Sequence, residues 1–491
     1  MGEQTSAVSG AAWGRGDGDR GGDGVGGTAS GEASDAAAIP YGVRLPSWTR
    51  KGYRGTLAEV FSGRENGVGF LRFSLAMSVV ITHSGILGFD RGDLFGGVFR
   101  NQQAVGGLAV AGFFVLSGML ITRSARRTGF LRYCWHRALR IFPALWVCLI
   151  VTAFVVAPLI TLHERGSLNG FWTETGGGGG PFGYVHLNMW TGIRQSGIHN
   201  LLVSTTWWGR VTKTSVFDGA LWSLVYEMLC YLIVGSLLVS GVLRNARRLM
   251  PIMAAVLYVR IVLDFRLASG WAGGEVAQYQ RFDANWFGTI DLHWVVYLGF
   301  LFFAAGSLEL YRERVPIHDG LGLAALALSL GSLLLGGWFV IGYPAFVYLM
   351  VWAACRLPRW THWVGRKNDY SYGIYIYGLV GQQVLASLGW NRWGYWPYLA
   401  MAVAAAWTAA FLSWHLVEKH FLKLKNWTPR YPARWLRTLR RRYVPVPAAR
   451  SESGAGTGTL HPGADNPGAI GVPAPTPAPT PTPTPTPTPV A

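Results

Sequence analysis

Negative charge is scarce in this sequence. Its 491 residues hold 25 Asp and Glu against 43 Lys and Arg, a formal net charge of +18, and residues of either sign make up only 14%. An ordinary soluble domain carries about 25% charged residues, so that class is a poor fit, and a disordered polyelectrolyte is excluded. Cysteine is also sparse. Cys134, Cys148, Cys230 and Cys355 lie far apart without metal-ligand spacing, so we expect neither a disulfide framework nor a metal site. His163, His186 and His199 share one connection, but HxxxH and HExxH spacings are missing from it. Residues 1–40, rich in Gly, Ala, Ser and Asp, contain no apolar run after a basic start. They read as a disordered tail and not as a signal peptide, which leaves the first membrane helix to direct insertion.

What the sequence has in quantity is apolar and aromatic surface. Half of it is hydrophobic, 23 residues are Trp, and the mean hydropathy is +0.25. Apolar stretches of near 20 residues recur, which defines an all-α polytopic membrane protein of about ten transmembrane helices. Spans are expected at 69–88, 104–122, 139–160, 219–240, 249–267, 291–310, 319–337, 339–355, 370–388 and 397–417. The basic residues fall between them and alternate. Arg44, Arg50, Lys51, Arg54 and Arg64 precede the first span, and Arg123, Arg126, Arg127, Arg132 and Arg137 follow the second. Arg244, Arg247 and Arg248 follow the fourth, Arg312 and Arg314 the sixth, and Arg356, Arg359, Arg366 and Lys367 the eighth. The positive-inside rule then places these connections and both termini in the cytoplasm of a multi-pass cell-membrane protein. The net charge accordingly reports topology and contact with anionic membrane lipids, not nucleic acid.

Outside the spans the chain divides simply. Residues 1–40 form the tail just described, 41–68 a basic membrane-proximal segment, 69–420 the membrane domain, and 421–442 a basic cytoplasmic strip. Residues 443–491 close in a PTPTPTPTP repeat, an extended linker without a core. The connection 161–218 lies outside the membrane, is rich in Trp, and is placed to cover the outer mouth of the bundle.

Ionisable residues inside such a bundle carry the functional signal, because a charge at the centre of a span costs roughly 2.5–3.5 kcal/mol on insertion scales. The first span contains Arg72 and His83. Eleven residues at 100° each come to about 20° past three turns, so on a helix the two share a face roughly 16 Å apart. Glu227 in the fourth span reaches a depth similar to that of His83. From there it either orients and charges the imidazole or makes a structural hydrogen bond. Arg137 and Arg140, three residues apart, share a helix face just before Pro143 and suit either phosphate or lipid headgroups. Ser84 and Ser117 read as small-residue packing contacts between helices.

Five short patterns recur in a recognisable order: LRFSLAMSVVITHSG (71–85), GGLAVAGFFVLSGMLITRSAR (106–126), WHRALRIFPALW (135–146), ALWSLVYEMLCYLI (220–233) and YSYGIYIYG (370–378). Together they resemble the acyltransferase 3 family, ten-helix membrane enzymes that O-acylate sugars, polysaccharides and secondary metabolites. The resemblance covers about residues 65–420. It implies that an essential Arg and His of the first helix stand here as Arg72 and His83, that an RxxR pair stands as Arg137 and Arg140, and that a WSLxxE pattern stands as Trp222, Ser223 and Glu227. It also implies acyl-CoA, usually acetyl-CoA, as the cytoplasmic donor. Three positions depart from the family pattern. Met228 replaces the acid that often follows the glutamate, Gly378 the histidine that often closes the tyrosine motif, and Ala111 the aspartate often found before FFVLSG.

The expectation is therefore an acyl-CoA-dependent O-acyltransferase acting on a hydroxyl of a sugar, cell-envelope glycan or glycosylated metabolite. His83 is its general base, Arg72 and Glu227 assist, and Arg137 and Arg140 hold the donor. The alternative from another class is a proton-coupled transporter of a small acid or acylated metabolite through Arg72, His83 and Glu227.

Overall fold

Backbone polar groups cannot go unpaired in hydrocarbon, so apolar runs of this length are obliged to form helices. The computed structural model describes residues 52–427 except 62, 64, 90, 93, 175–177, 242–244 and 268–279. The tail 1–40, residues 41–51 of the basic segment, all but the start of the strip 421–442, and the Pro/Thr stretch 443–491 lie outside the described residues.

Helices occupy all ten expected positions. They are α1 (Val68–Gly88), α2 (Val105–Arg127), α3 (Phe130–Arg165), α4 (Gly219–Val239), α5 (Leu249–Leu267), α6 (Leu292–Leu310), α7 (Asp319–Leu335), α8 (Trp338–Arg356), α9 (Ser371–Ser387) and α10 (Tyr395–Asn426). Seven are long and apolar enough to cross a membrane; α5, α7 and α9 are the shorter or more polar three. Leu321, Leu323, Leu328, Leu330 and Leu335 of α7 are exposed. An outward apolar face of that kind suits lipid, and the protein is a multi-pass membrane protein.

Helix α1 sits against α2, α9 and α10, and α6 packs on α2, α4, α5 and α8. Close approach comes from small residues. At Gly118 of α2 an added Cβ would lie 2.1 Å from the Phe302 carbonyl oxygen of α6, so only glycine fits. Gly118→Val is expected to cost at least about 1–3 kcal/mol through overpacking, seen as loss of monodisperse protein on size-exclusion chromatography in detergent.

Several long helices change pitch inside the bundle. A π-helical turn at Thr152–Val156 interrupts α3, another at Trp414–Glu418 interrupts α10, and α4 opens with a 3₁₀ turn at Gly219–Ser223. Pro143 within α3 has no N–H to offer the Leu139 carbonyl, which loosens the ladder beside Arg140.

The described part of the basic N-terminal segment is folded. Tyr53–Thr56 pairs antiparallel with Pro316–His318, between α6 and α7, and Leu57 and Phe61 are buried behind it. Arg312 ties this segment down by donating to the carbonyls of Ala58 (3.1 Å) and Phe61 (3.0 Å), with Glu309 accepting from its other nitrogen at 2.9 Å.

The connection 161–218 is also structured over its described residues. Asn188 accepts from the N–H groups of Arg194 and Gln195, and Glu174 accepts from those of Gly180, Phe182 and Gly183. His199 is buried with Nε2 bonded to the Phe171 carbonyl at 2.7 Å, which gives it a structural task.

Candidate active site

Four of the five sequence patterns meet through their tyrosines and serines. Tyr372 of α9 donates to the Ile141 carbonyl of α3 at 3.0 Å, and Tyr375 bonds Ser223 at 2.7 Å and the Ala220 carbonyl at 2.5 Å, both on α4. Ser117 of α2 donates to Glu227 of α4 at 2.8 Å. Each of these four is thus a contact surface for another.

His83 stands five residues from the end of α1, three turns along the same helix from Arg72. Its Nδ1 lies 2.8 Å from the Val79 carbonyl. A carbonyl only accepts, so Nδ1 carries the proton and the lone pair of the neutral ring is on Nε2. His83, Trp222 and Gly92 border two cavities of about 480 Å³ each. The first is polar, lined by Thr82, Asn101, Gln102, Gln103 and Tyr375 together with glycines of the 92–107 stretch. The second is walled by Trp207, Trp208 and Thr212 of the long connection.

At the other end of α1, two guanidiniums converge on one carboxylate. Arg72 Nη1 donates to Asp369 Oδ2 at 2.8 Å, and Arg140 Nη2 donates to the same oxygen at 2.7 Å. The other oxygen, Oδ1, accepts from the Ser371 backbone N–H (3.2 Å) and hydroxyl (2.5 Å) at the start of α9. Burial raises the Asp369 carboxyl, but the Arg72 and Arg140 guanidiniums and the Ser371 hydrogen bonds outweigh it and hold the group below the usual carboxylate range. Glu418 lies 3.7 Å from Arg140 Nη1, and Arg140 also stacks over Tyr372 at 5.7 Å. Asp369 borders a third cavity of about 750 Å³, shared with Arg366, Lys367, Phe73 and Trp407.

Arg137 does not join this cluster. Its guanidinium lies 5.8 Å from the Tyr231 ring centroid, and its buried Nε meets no hydrogen-bond partner. Tyr231 in turn donates to Glu227 at 2.5 Å. The pair expected on one helix face therefore divides, with Arg140 on Asp369 and Arg137 beside the Glu227 cluster.

Glu227 is not among the residues lining the His83 cavities. Trp222 is, five residues earlier on α4, which places Glu227 roughly 8 Å from Trp222 along the helix. The 3₁₀ start of α4, rising faster per residue than an α-helix, contributes to this offset. Two hydroxyls converge on the Glu227 carboxylate. Glu227→Ala, which strands both, is expected to lower stability by about 1–3 kcal/mol, while Glu227→Gln keeps an acceptor and a melting point near the wild type. Thermal unfolding in detergent distinguishes them.

Asp369 and Ser117 were not singled out as site residues from the sequence. Gly378, where the family often has histidine, lies against α1. A Cβ there would meet Val80 Cγ2 at 2.9 Å, so α9 approaches α1 more closely than a side chain would allow.

Ionisable side chains held inside a bundle of apolar helices, beside polar cavities, mark a membrane protein with a functional site among its spans. The chain belongs to the acyltransferase 3 family, whose acyltransferase domain matches residues 65–418, and it is a membrane O-acyltransferase. An O-acetyl transferase of Shigella phage Sf6 is 28% identical over 367 residues, covering 72% of this chain and 94% of that protein. Nodulation protein 10 of Rhizobium leguminosarum bv. viciae is 27% identical over 390 residues, covering 74% and 95%. No solved structure matches the chain significantly.

Proposed function

We propose that the protein transfers an acyl group, acetyl in the first instance, from acyl-CoA to a hydroxyl of a sugar, cell-envelope glycan or glycosylated metabolite. The observation that carries this reading is the division of labour along α1. A cationic site lies at Arg72, and a tautomer-fixed imidazole lies about 16 Å further along the same face. A donor with a polyanionic head and a long thin arm ending in a thioester suits that spacing. Guanidinium forks suit the phosphates of such a head, and Arg140 and Arg72 are the residues to hold them. The acetyl donor is favoured by the activity named for the phage relative.

In this mechanism Nε2 of His83 takes the proton of the acceptor hydroxyl as its oxygen attacks the thioester carbonyl. The new C–O bond forms, the C–S bond breaks, and the imidazolium returns the proton to the departing thiolate. The transfer is direct, without an acyl-enzyme. The polar cavity with Asn101, Gln103 and Trp222 offers amides and an indole face suited to a sugar. With the basic end of the bundle cytoplasmic, the donor enters from the cytoplasm and the acceptor reaches His83 from the opposite end. Family membership removes the ground for the transporter alternative.

Purified full-length protein in detergent, incubated with radiolabelled acetyl-CoA and cell-envelope extract, tests the reading. Label passing to a base-labile ester on glycan is expected. Label that stays on acetyl-CoA, with propionyl- and longer acyl-CoA also inert, would sink the acyl-CoA donor.

A further inference from the structure

We propose that Asp369 is the positioning residue of the donor site: its carboxylate clamps Arg72 and Arg140, from two different helices, in the geometry that receives the donor phosphates. The proposal rests on the reading of Arg72 and Arg140 as phosphate ligands.

Three observations carry it. The two guanidiniums share a single oxygen, Oδ2, at 2.8 and 2.7 Å, so the spacing between them is set by one atom. That atom cannot drift, because Oδ1 is fixed by both the backbone N–H and the hydroxyl of Ser371, and the side chain is only 19% exposed. Asp369 also reaches the far end of α1 indirectly. It joins the start of α9 to Arg72, while Gln382 of α9 donates to the Val80 carbonyl (2.6 Å) and Ser84 hydroxyl (2.7 Å) on either side of His83. Two ties between the same helices fix the rotation of α1 about its axis. Arg72 and His83 share a face, so the clamp that aims one aims the other.

The sign of the effect separates this role from simple electrostatics. A carboxylate beside a polyanion repels it, and removing the charge alone would tighten donor binding. A clamp predicts the reverse. Two long side chains released from a common partner regain rotamer freedom and must be ordered again by the ligand.

The test is equilibrium binding of tritiated acetyl-CoA to the purified full-length protein. Asp369→Asn is expected to weaken binding at least about tenfold, Asp369→Glu to recover part of it, and Asp369→Asn to weaken binding less in an Arg72→Ala background than in the wild type, because only Arg140 is then left to release. Unchanged or tighter binding by Asp369→Asn, or losses that multiply in the double variant, would overturn the clamp. A wild type that binds no acetyl-CoA, or an Arg72→Ala, Arg140→Ala variant that binds as well as the wild type, overturns instead the donor reading on which the clamp rests. Should Asp369→Asn aggregate, Ser371→Ala takes its place, since it frees Oδ1 from the hydroxyl while keeping every charge. It is expected to weaken binding severalfold, and unchanged affinity would overturn the proposal.

Discussion

Replacing His83 by alanine is expected to slow acyl transfer by about 10²–10⁴-fold, the usual contribution of a positioned general base. The loss should fall on kcat. The donor's phosphates are assigned to the other end of α1, so the KM for acetyl-CoA should change little. The fold should survive, since α1 remains tied to α9 through Gln382, which bonds Val80 and Ser84. The measurement is initial rate against acetyl-CoA concentration, with size-exclusion profiles of both proteins as the control. A well-folded variant that transfers at the wild-type rate would remove His83 from the chemistry.

The second large effect belongs to Arg140. It pairs with both acids of the cluster, the half-buried Asp369 at 2.7 Å and the buried Glu418 at 3.7 Å. Glu418 is 3% exposed, and its Oε2 has no hydrogen-bond partner of its own. Taking Arg140 away leaves the buried Glu418 without its cation while Asp369 keeps Arg72 and Ser371, and Arg140→Ala is expected to cost about 3 kcal/mol of stability. Arg140→Lys should cost less, because it keeps the charge while losing the fork that reaches two acids at once. Adding Glu418→Gln to Arg140→Ala should restore part of the loss, since the stranded charge is gone. Thermal unfolding of the set in detergent reads these differences. Equal melting points for wild type and Arg140→Ala would mean the ion group adds nothing to the fold.

The bundle was legible because lipid leaves an apolar run no alternative to the helix. The first span, expected at 69–88, is Val68–Gly88, and the sixth, expected at 291–310, is Leu292–Leu310. Misplaced ends have a common cause. Helix α3 begins at Phe130, nine residues before the expected start, and α10 runs on to Asn426. In both, Arg132, His136 and Arg137 or Glu418 and Lys419 read as the end of the apolar run, although helices continue through polar residues once past the hydrocarbon.

The site was legible in part. Helical periodicity alone placed Arg72 and His83 on one face, but it carries no information about partners distant in sequence. Asp369 is 297 residues from Arg72 and 229 from Arg140, and no period links them. The available signal was the lone acid in a stretch otherwise basic from Arg356 to Tyr370. Ser117 was read as a packing residue, whereas Gly118 makes the close contact and Ser117 donates to Glu227. Adjacent small residues on a helix look alike in sequence and face different neighbours in space.

The separation of Arg72 from Asp369 also sets a timetable. At 5–20 residues per second of synthesis, the 297 residues between them take roughly 15–60 s to appear, and seven further helices enter in that interval. Throughout it the first span carries a guanidinium without its carboxylate, so Arg72 must wait among the lipid headgroups on its extended stem. The cluster is closed only when Asp369 arrives at the threshold of α9, and a nascent chain halted before it holds four of the five sequence patterns but not the carboxylate that joins Arg72 to Arg140.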